Sequence, residues 1–252
     1  MKRFLSDTGV LFTRLMRHIV RSPDTIITTA AMPIAIMLLF VYVFGGATNT
    51  GSVPYVTYTL PGILLITVAS GIAYTAMRLF EDMSGGIFER FQTMPISRTA
   101  FMWSHVLTSI VANVVSLILV IGLALVIGFR TGASAGRWLA VIGIMLLFTL
   151  ALTWVAVVAG LAAKSVDGAT AFSYPLIFLP FISSAFVPTA TMPGPVRWFA
   201  QYQPVTSIVN TLRNLFLGTP VSGDIWTALG WCVAILVVFA IIARLLIHRR
   251  TA

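Results

Sequence analysis

The sequence predicts an all-α, polytopic membrane protein with six transmembrane helices, and three observations carry that prediction. Six long apolar stretches each lack an acidic residue and are edged by Arg, Lys or polar loops. Hydrophobic residues make up 58% of the 252-residue chain and charged residues 9%, and the mean hydropathy is +0.98. A soluble domain carries roughly 25% charged residues, so this inventory cannot build a water-facing shell. Finally, the Lys and Arg residues fall unevenly about the apolar stretches, which gives the chain an orientation.

Residues 1–25 form an amphipathic leader. Phe4, Leu11, Phe12, Leu15, Met16 and Ile19 recur at helical spacing, while Arg3, Asp7, Arg14, Arg17 and Arg21 gather on another face. Such a helix is expected along the inner membrane surface with its basic face on lipid headgroups. It serves either as an anchor or as a connecting helix that also touches a cytoplasmic partner. The apolar run that follows is too long, and the leader too extended, for a signal peptide, so a retained first span is expected.

A bilayer core about 30 Å thick needs roughly 20 apolar residues per helix. Spans are expected near Ile26–Phe44, Leu60–Met77, Ser104–Phe129, Trp138–Ala163, Ala171–Val187 and Ile225–Leu246. The fifth carries Pro175 and Pro180, which predicts a kinked helix whose freed carbonyls find partners in neighbouring helices. Small residues at four-residue spacing, Ala69/Ala73 and Ala156/Gly160, permit close helix approach. With the N-terminus inside, twelve Lys and Arg lie on inner segments and four (Arg130, Arg137, Arg197 and Arg213) on outer ones. Both termini are therefore expected in the cytoplasm. The pI near 10.6 reflects basic edges that meet anionic lipid. No compact basic domain is present to bind nucleic acid.

Two connecting segments stand out. Residues 80–100 hold the densest polar cluster of the chain, in which Gly85-Gly86 breaks the descending helix, Ile87–Thr93 forms a short amphipathic piece and Pro95 ends it. The result is a stubby cytoplasmic helix, read either as a solvated turn or as a docking knob for another protein. Residues 188–224, bounded by Pro and Gly, are moderately apolar but contain Arg197, Arg213 and Gln203-Pro204. Those groups make a full crossing costly, so an extracytoplasmic re-entrant or interfacial helical pair is expected.

The chemistry-bearing residues are nearly absent from the spans. His105 is the single titratable candidate near a span interior, read as an interfacial hydrogen-bonder rather than a proton carrier. Neither H-E-x-x-H nor a nucleophile elbow occurs, and one cysteine, Cys232, allows no disulfide framework. Ala163-Lys164-Ser165 lacks the glycine that a phosphate-cradling loop needs, so any ATP hydrolysis must occur on another polypeptide. Without charged relay groups, coupling to a proton or sodium gradient has no visible apparatus. The interior offers Met and aromatic side chains instead, which suit either an adaptable cavity for apolar cargo or ordinary helix packing.

At this point the chain resembles a known family. The run Glu81-Asp82-x-x-Gly85-Gly86-x-x-Glu89-Arg90-x-x-x-Met94-Pro95-Ile96-Ser97-Arg98 is one carrier of the resemblance. The other is Phe186-Val187-Pro188, Met192-Pro193, Gln203-Pro204-Val205-Thr206, Leu212-Arg213 and Gly218, in that order. Placed within the six-span topology, these are similar to ABC-2-type transporter permeases, with daunorubicin-resistance multidrug exporters the nearest flavour. The resemblance covers essentially the whole chain as a single transmembrane domain.

The resemblance implies a half-transporter of the cell membrane that pairs with a second permease copy and sits on two separate ABC ATPase subunits. ATP and Mg would be bound there and no cofactor on this chain. The 80–100 knob would be the coupling helix, its bend made by Gly85 and Gly86. Glu81, Asp82, Glu89, Arg90 and Arg98 would make polar contacts to the ATPase; Phe88, Phe91, Met94 and Ile96, ahead of and around Pro95, would supply apolar anchors. Spans two and five would line the path for a hydrophobic or amphipathic substrate such as a drug, antibiotic or lipid, which makes Tyr74, Phe172, Phe178 and Phe186 path candidates. From the residues alone, an autonomous channel or a membrane scaffold stays open beside the exporter permease.

Overall fold

In the computed structural model, the described residues are 2–21, 23–46, 53–86, 98–221 and 223–251, and they contain helices and no strand. Ten α-helices follow in order: α1 Lys2–Arg21, α2 Pro23–Leu39, α3 Tyr55–Ser84, α4 Arg98–Ile127, α5 Ala135–Ala162, α6 Val166–Ala171, α7 Ser173–Phe178, α8 Gly194–Tyr202, α9 Pro204–Leu217 and α10 Asp224–Thr251. A π-helical turn, Phe40–Phe44, extends α2, and a 3₁₀ turn, Leu179–Ile182, follows α7.

Among the described residues, four helical stretches are long and apolar enough to cross a membrane: Tyr55–Ser84, Thr99–Ile127, Ala135–Ala162 and Asp224–Ile247. At 1.5 Å per residue, the 30 residues of α3 reach about 45 Å, longer than a hydrocarbon core of about 30 Å. Two shorter apolar stretches, Ala30–Phe44 and Val166–Ile182, stand where the first and fifth spans are expected.

Burial separates the long helices into two kinds. Within their most apolar windows, 67% of α3 and 61% of α5 are buried in the protein, against 28% of α4 and 17% of α10. Helices α3 and α5 are thus the axis of the bundle, and α4 and α10 turn most of their apolar surface outward. Apolar side chains gain little by leaving lipid for protein, so close van der Waals fit decides which helices pair. Of the expected small residues, Gly160 serves that fit. A Cβ at Gly160 would lie 2.7 Å from the Ala76 carbonyl oxygen and 3.2 Å from Leu79 Cβ, so α5 crosses α3 at backbone contact there. Near the other end, a Cβ at Gly62 would lie 2.5 Å from Ala185 Cβ.

The leader packs its apolar face on the bundle. Leu11, Leu15 and Ile19 of α1 are buried. Leu11 joins Leu79, Phe101, Met102, Val106, Trp154 and Ile247 in an apolar cluster at one end of the bundle. The apolar face of α1 therefore rests on protein, principally α4, while Leu5, Val10 and Val20 remain exposed.

The fifth apolar stretch is broken rather than kinked. Instead of one helix over Ala171–Val187, the chain forms α6, α7, the 3₁₀ turn and then irregular backbone to Pro188. Proline cannot donate a helical hydrogen bond, and Pro180 opens the 3₁₀ turn. The freed groups are satisfied within the segment and from other elements. Ser183 Oγ donates to the Pro180 carbonyl at 2.6 Å and Gln203 Nε2 donates to those of Leu179 and Ile182. Tyr55 Oη donates to the Phe186 carbonyl at 3.3 Å. Arg213 does most: its guanidinium donates to the carbonyls of Ser184 (2.7 Å) and Tyr58 (3.0 Å), and its carbon stands 3.8 Å from the centroid of the Tyr58 ring.

Arg213 sits on α9, the second helix of the expected pair. Gln203, in extended conformation, separates α8 from α9, and Pro204 starts α9. Thr206 Oγ1 donates across the corner to the Ala200 carbonyl. The apolar face of α9 (Ile208, Val209, Leu212, Leu215 and Phe216) is buried, and α9 packs on α3, α5 and α10. The helix ends at Gly218, whose φ of +76° is a left-handed cap that favours glycine. Thr131 Oγ1 and the Gly132 N–H both donate to the Phe216 carbonyl, at 2.8 and 3.0 Å, which ties the α4–α5 turn to this end.

Two outcomes test this packing. Gly160→Leu forces α5 away from a backbone oxygen that cannot rotate aside, and destabilises by about 1–3 kcal/mol or more; thermal unfolding in detergent should show a clear drop. Arg213→Met leaves buried carbonyls without their donor at about 1–3 kcal/mol, and Arg213→Lys recovers part of the loss because it keeps the charge but not the fork. Equal thermal stability of the Met and native proteins would contradict the carbonyl-satisfying role.

Candidate functional site

The first candidate region is a cleft of about 270 Å³ between α2, α3 and the α6–α7 segment. Its walls include Met32, Tyr74, Met77, Tyr174 and Ile177, with hydroxyls from Ser70, Thr170 and Ser173. Residues 70, 73, 74 and 77 share one face of α3, since positions three and four apart are helical neighbours. Met32 and Tyr174 are 50% and 60% exposed, so the cleft opens outward on one side. Ser70 is buried and its Oγ has no hydrogen-bond partner among the described residues. Flexible thioethers, aromatic rings and a few hydroxyls make a surface that accommodates varied apolar molecules carrying some polar groups.

The four path candidates separate. Tyr74 is half-buried on the cleft wall. Phe172 is half-buried against the main apolar core, and Phe178 is 61% exposed. Phe186 is 2% exposed, stacked on Phe40 (ring centroids 4.3 Å apart) and on Phe181 (5.0 Å). It is a packing residue, drawn inward because Tyr55 and Arg213 hold the backbone of Ser184–Phe186 against α3 and α9.

The second region lies where α3 leaves the bundle toward the 80–100 segment. Glu81 is exposed and accepts the Gly85 N–H through its carbonyl at 2.8 Å; Gly86, with φ of +72°, completes the turn. These are the groups that end the helix, as expected. Asp82 points the other way and is 7% exposed. Arg14 of α1 grips its carboxylate with two nitrogens, Nη2 to Oδ1 at 2.9 Å and Nη1 to Oδ2 at 3.4 Å. His105 of α4, 3% exposed, sets Nε2 3.2 Å from Oδ2, close enough for an ion pair but off the line of a good hydrogen bond. Phe88, Glu89, Arg90, Phe91, Met94, Pro95 and Ile96 lie outside the described residues, as does the side chain of Arg98.

Sequence reasoning missed the junction of Arg14, Asp82 and His105. Arg14 reads as one of several lipid-facing cations and His105 as an interfacial group. The available signal is that Asp82 and His105 stand at the same end of two helices that run antiparallel around one loop. Reasoning also missed a polar seam in the bundle interior: Thr75 Oγ1 donates to Ser109 Oγ at 2.9 Å, which lies 3.1 Å from Thr153 Oγ1, linking α3, α4 and α5. Asn113 Nδ2 donates to the Ser109 carbonyl at 2.9 Å. Among the described residues, no group of three or more His, Cys, Asp or Glu is placed to hold a metal ion.

Comparison with known proteins matches this architecture. The profile of the ABC-2 type transporter family matches residues 6–217, most of the chain. The daunorubicin resistance ABC transporter permease protein DrrB1 of Streptomyces coeruleorubidus is 29% identical over 255 residues, covering 98% of this chain and 88% of the relative. The probable doxorubicin resistance ABC transporter permease protein DrrC of Mycobacterium tuberculosis is 24% identical over 241 residues, covering 94% and 87%. A putative transport permease, ycf38, of Pyropia yezoensis is 23% identical over 219 residues, covering 84% and 74%. Four membrane-length apolar helices, a helix-breaking Gly85-Gly86 turn after α3 and a family match across most of the chain lead to one conclusion: this chain is a multi-pass membrane protein that belongs to the ABC-2 type transporter family.

Proposed function

We propose that this chain is the permease subunit of an ATP-driven exporter in the cell membrane, moving a hydrophobic or amphipathic molecule of the kind named for its relatives, daunorubicin and doxorubicin. The observation that carries this reading is the outward-opening cleft of α2, α3 and α6–α7, walled by Met and Tyr side chains. In this reading the two shorter apolar stretches complete six spans, both termini are cytoplasmic and α8–α9 is a re-entrant pair on the outer side. A second permease copy, identical or not, faces the open side of the cleft, so that the path forms between copies. Two ATPase subunits bind ATP and Mg and engage the loop after α3. There Gly85 and Gly86 make the bend, Glu81, Glu89, Arg90 and Arg98 supply polar contacts, and Phe88, Phe91, Met94 and Ile96 supply apolar ones beside Pro95.

The reading fits the chemistry of the interior. A charge-free cleft has nothing with which to bind a coupling ion, so the work must come from movement of helices. Tyr74 and its neighbours give apolar area and a hydroxyl, enough to hold a planar amphipathic molecule without trapping it.

Proteoliposomes holding this chain with its ATPase partner should move daunorubicin only when Mg and ATP are supplied. Flux from the chain alone would favour a channel, and no flux in any combination would favour a scaffold. Tyr74→Ala should weaken apparent daunorubicin affinity about tenfold, the scale of one lost apolar contact surface. Phe186→Ala should instead lower stability by about 3–5 kcal/mol, read as reduced thermal unfolding temperature with unchanged apparent affinity in the folded fraction. Glu89→Arg combined with Arg90→Glu should abolish both transport and recovery of the complex; normal transport would remove the coupling assignment.

A further inference from the structure

Three helices converge on one carboxylate at the end of the bundle where the loop after α3 departs. Asp82 lies one turn before the Gly85-Gly86 break, so it belongs to the last rigid part of α3. His105 lies two turns into α4, the first helix after that loop. Arg14 lies midway along α1, far off in sequence. The carboxylate thus touches the helix before the loop, the helix after it and the leader.

The geometry is that of a clamp rather than a loose surface pair. A guanidinium that reaches both oxygens of a carboxylate fixes orientation as well as distance. Asp82 is buried, so separating it from Arg14 would leave a desolvated charge facing, among the described residues, the His105 imidazole. Leu11, one turn before Arg14, and Leu15, the residue after it, are buried, and Leu79, one turn before Asp82, shares the apolar cluster with Leu11, Phe101 and Met102. The ion pair supplies the directional contact within an otherwise slippery apolar interface, where side chains alone would let α1 slide along α4.

We propose that Asp82 is a positioning residue that locks α1 to both flanks of the α3–α4 loop, so that the leader moves with that loop as one body when the ATPase changes state. The proposal rests on the exporter reading above. It reassigns Asp82 from a contact with the ATPase to an internal tie, and it assigns to Arg14 a structural partner instead of a lipid headgroup.

The test uses the complex of the full chain with its ATPase partner. Thr13, on the exposed side of α1, is changed to Cys; Cys232 is buried, so the new thiol is the reactive one. The rate of maleimide labelling is compared without nucleotide and with Mg, ATP and vanadate. With Arg14, Asp82 and His105 intact the nucleotide should change the rate about fivefold, the lower end of ordinary coupling between sites. Asp82→Asn should remove that response, and so should Arg14→Gln, a change at a half-exposed helix position that leaves folding to the apolar face. Exchanging the charges, Arg14→Asp with Asp82→Arg, should return about half or more of it, because the pair is rebuilt.

The exchange separates the two roles of Asp82. Were Asp82 a direct contact to the ATPase, a cation at that position would repel its partner and the exchange would rescue nothing. A response that survives Asp82→Asn or Arg14→Gln, an exchange that restores none of it, or a native complex whose α1 labelling ignores nucleotide would each overturn the proposal. Failure of the exporter reading shows earlier and differently, as a native chain that forms no ATP-hydrolysing complex at all.

Discussion

Irregular backbone inside a membrane protein needs internal donors, and Arg213 is the group on which the α9 end of this molecule depends. From Leu179 to Phe186 the chain abandons regular helix, and each carbonyl released there would cost several kcal/mol in hydrocarbon if left bare. Arg213 covers those of Ser184 and Tyr58, Gln203 covers those of Leu179 and Ile182, and Tyr55 covers that of Phe186. A cation that looks out of place in an apolar segment is what permits the segment beside it to break. Its own burial is made tolerable by the carbonyl dipoles and by the Tyr58 ring beneath it.

That break shapes the cleft. A continuous fifth helix would run past α3 and present one long face to it. The broken one stops, turns inward at Ser183–Phe186 and leaves Tyr174 and Ile177 of α7 opposite Ser70, Tyr74 and Met77 of α3. The same inward turn sends Phe186 into the aromatic stack with Phe40 and Phe181. One structural event therefore decides which aromatic side chains face an open space and which serve as packing.

The opposite end of the bundle is organised by another desolvated charge. Asp82 gathers Arg14 and His105, while the apolar cluster at that end collects side chains from α1, α3, α4, α5 and α10. Between the two ends runs the seam of Thr75, Ser109 and Thr153, hydroxyls that pair with one another across three helices. Each hydrogen bond of this kind is modest, but in a bilayer such bonds are directional where apolar packing is not. The interior is thus charge-poor, as composition requires, yet is held in register by polar contacts at three levels.

What was legible in the sequence followed from the solvent. A bilayer admits only helices of a set length, so apolar runs, Pro and Gly breaks and the family resemblance could be read from local pattern, down to the close approach at Gly160. The helical pair at α8–α9 was legible for the same reason, because Gln203-Pro204 and Arg213 forbid one uninterrupted apolar helix. Partner choice was decided by the tertiary structure alone. Arg14, Asp82 and His105 are 68 and 23 positions apart in the chain, and nothing local distinguishes an arginine that meets lipid from one that meets a carboxylate. The difference between Tyr74 and Phe186 has the same origin: both are aromatic residues in apolar segments, and which one borders a cavity depends on how helices distant in sequence fold against them.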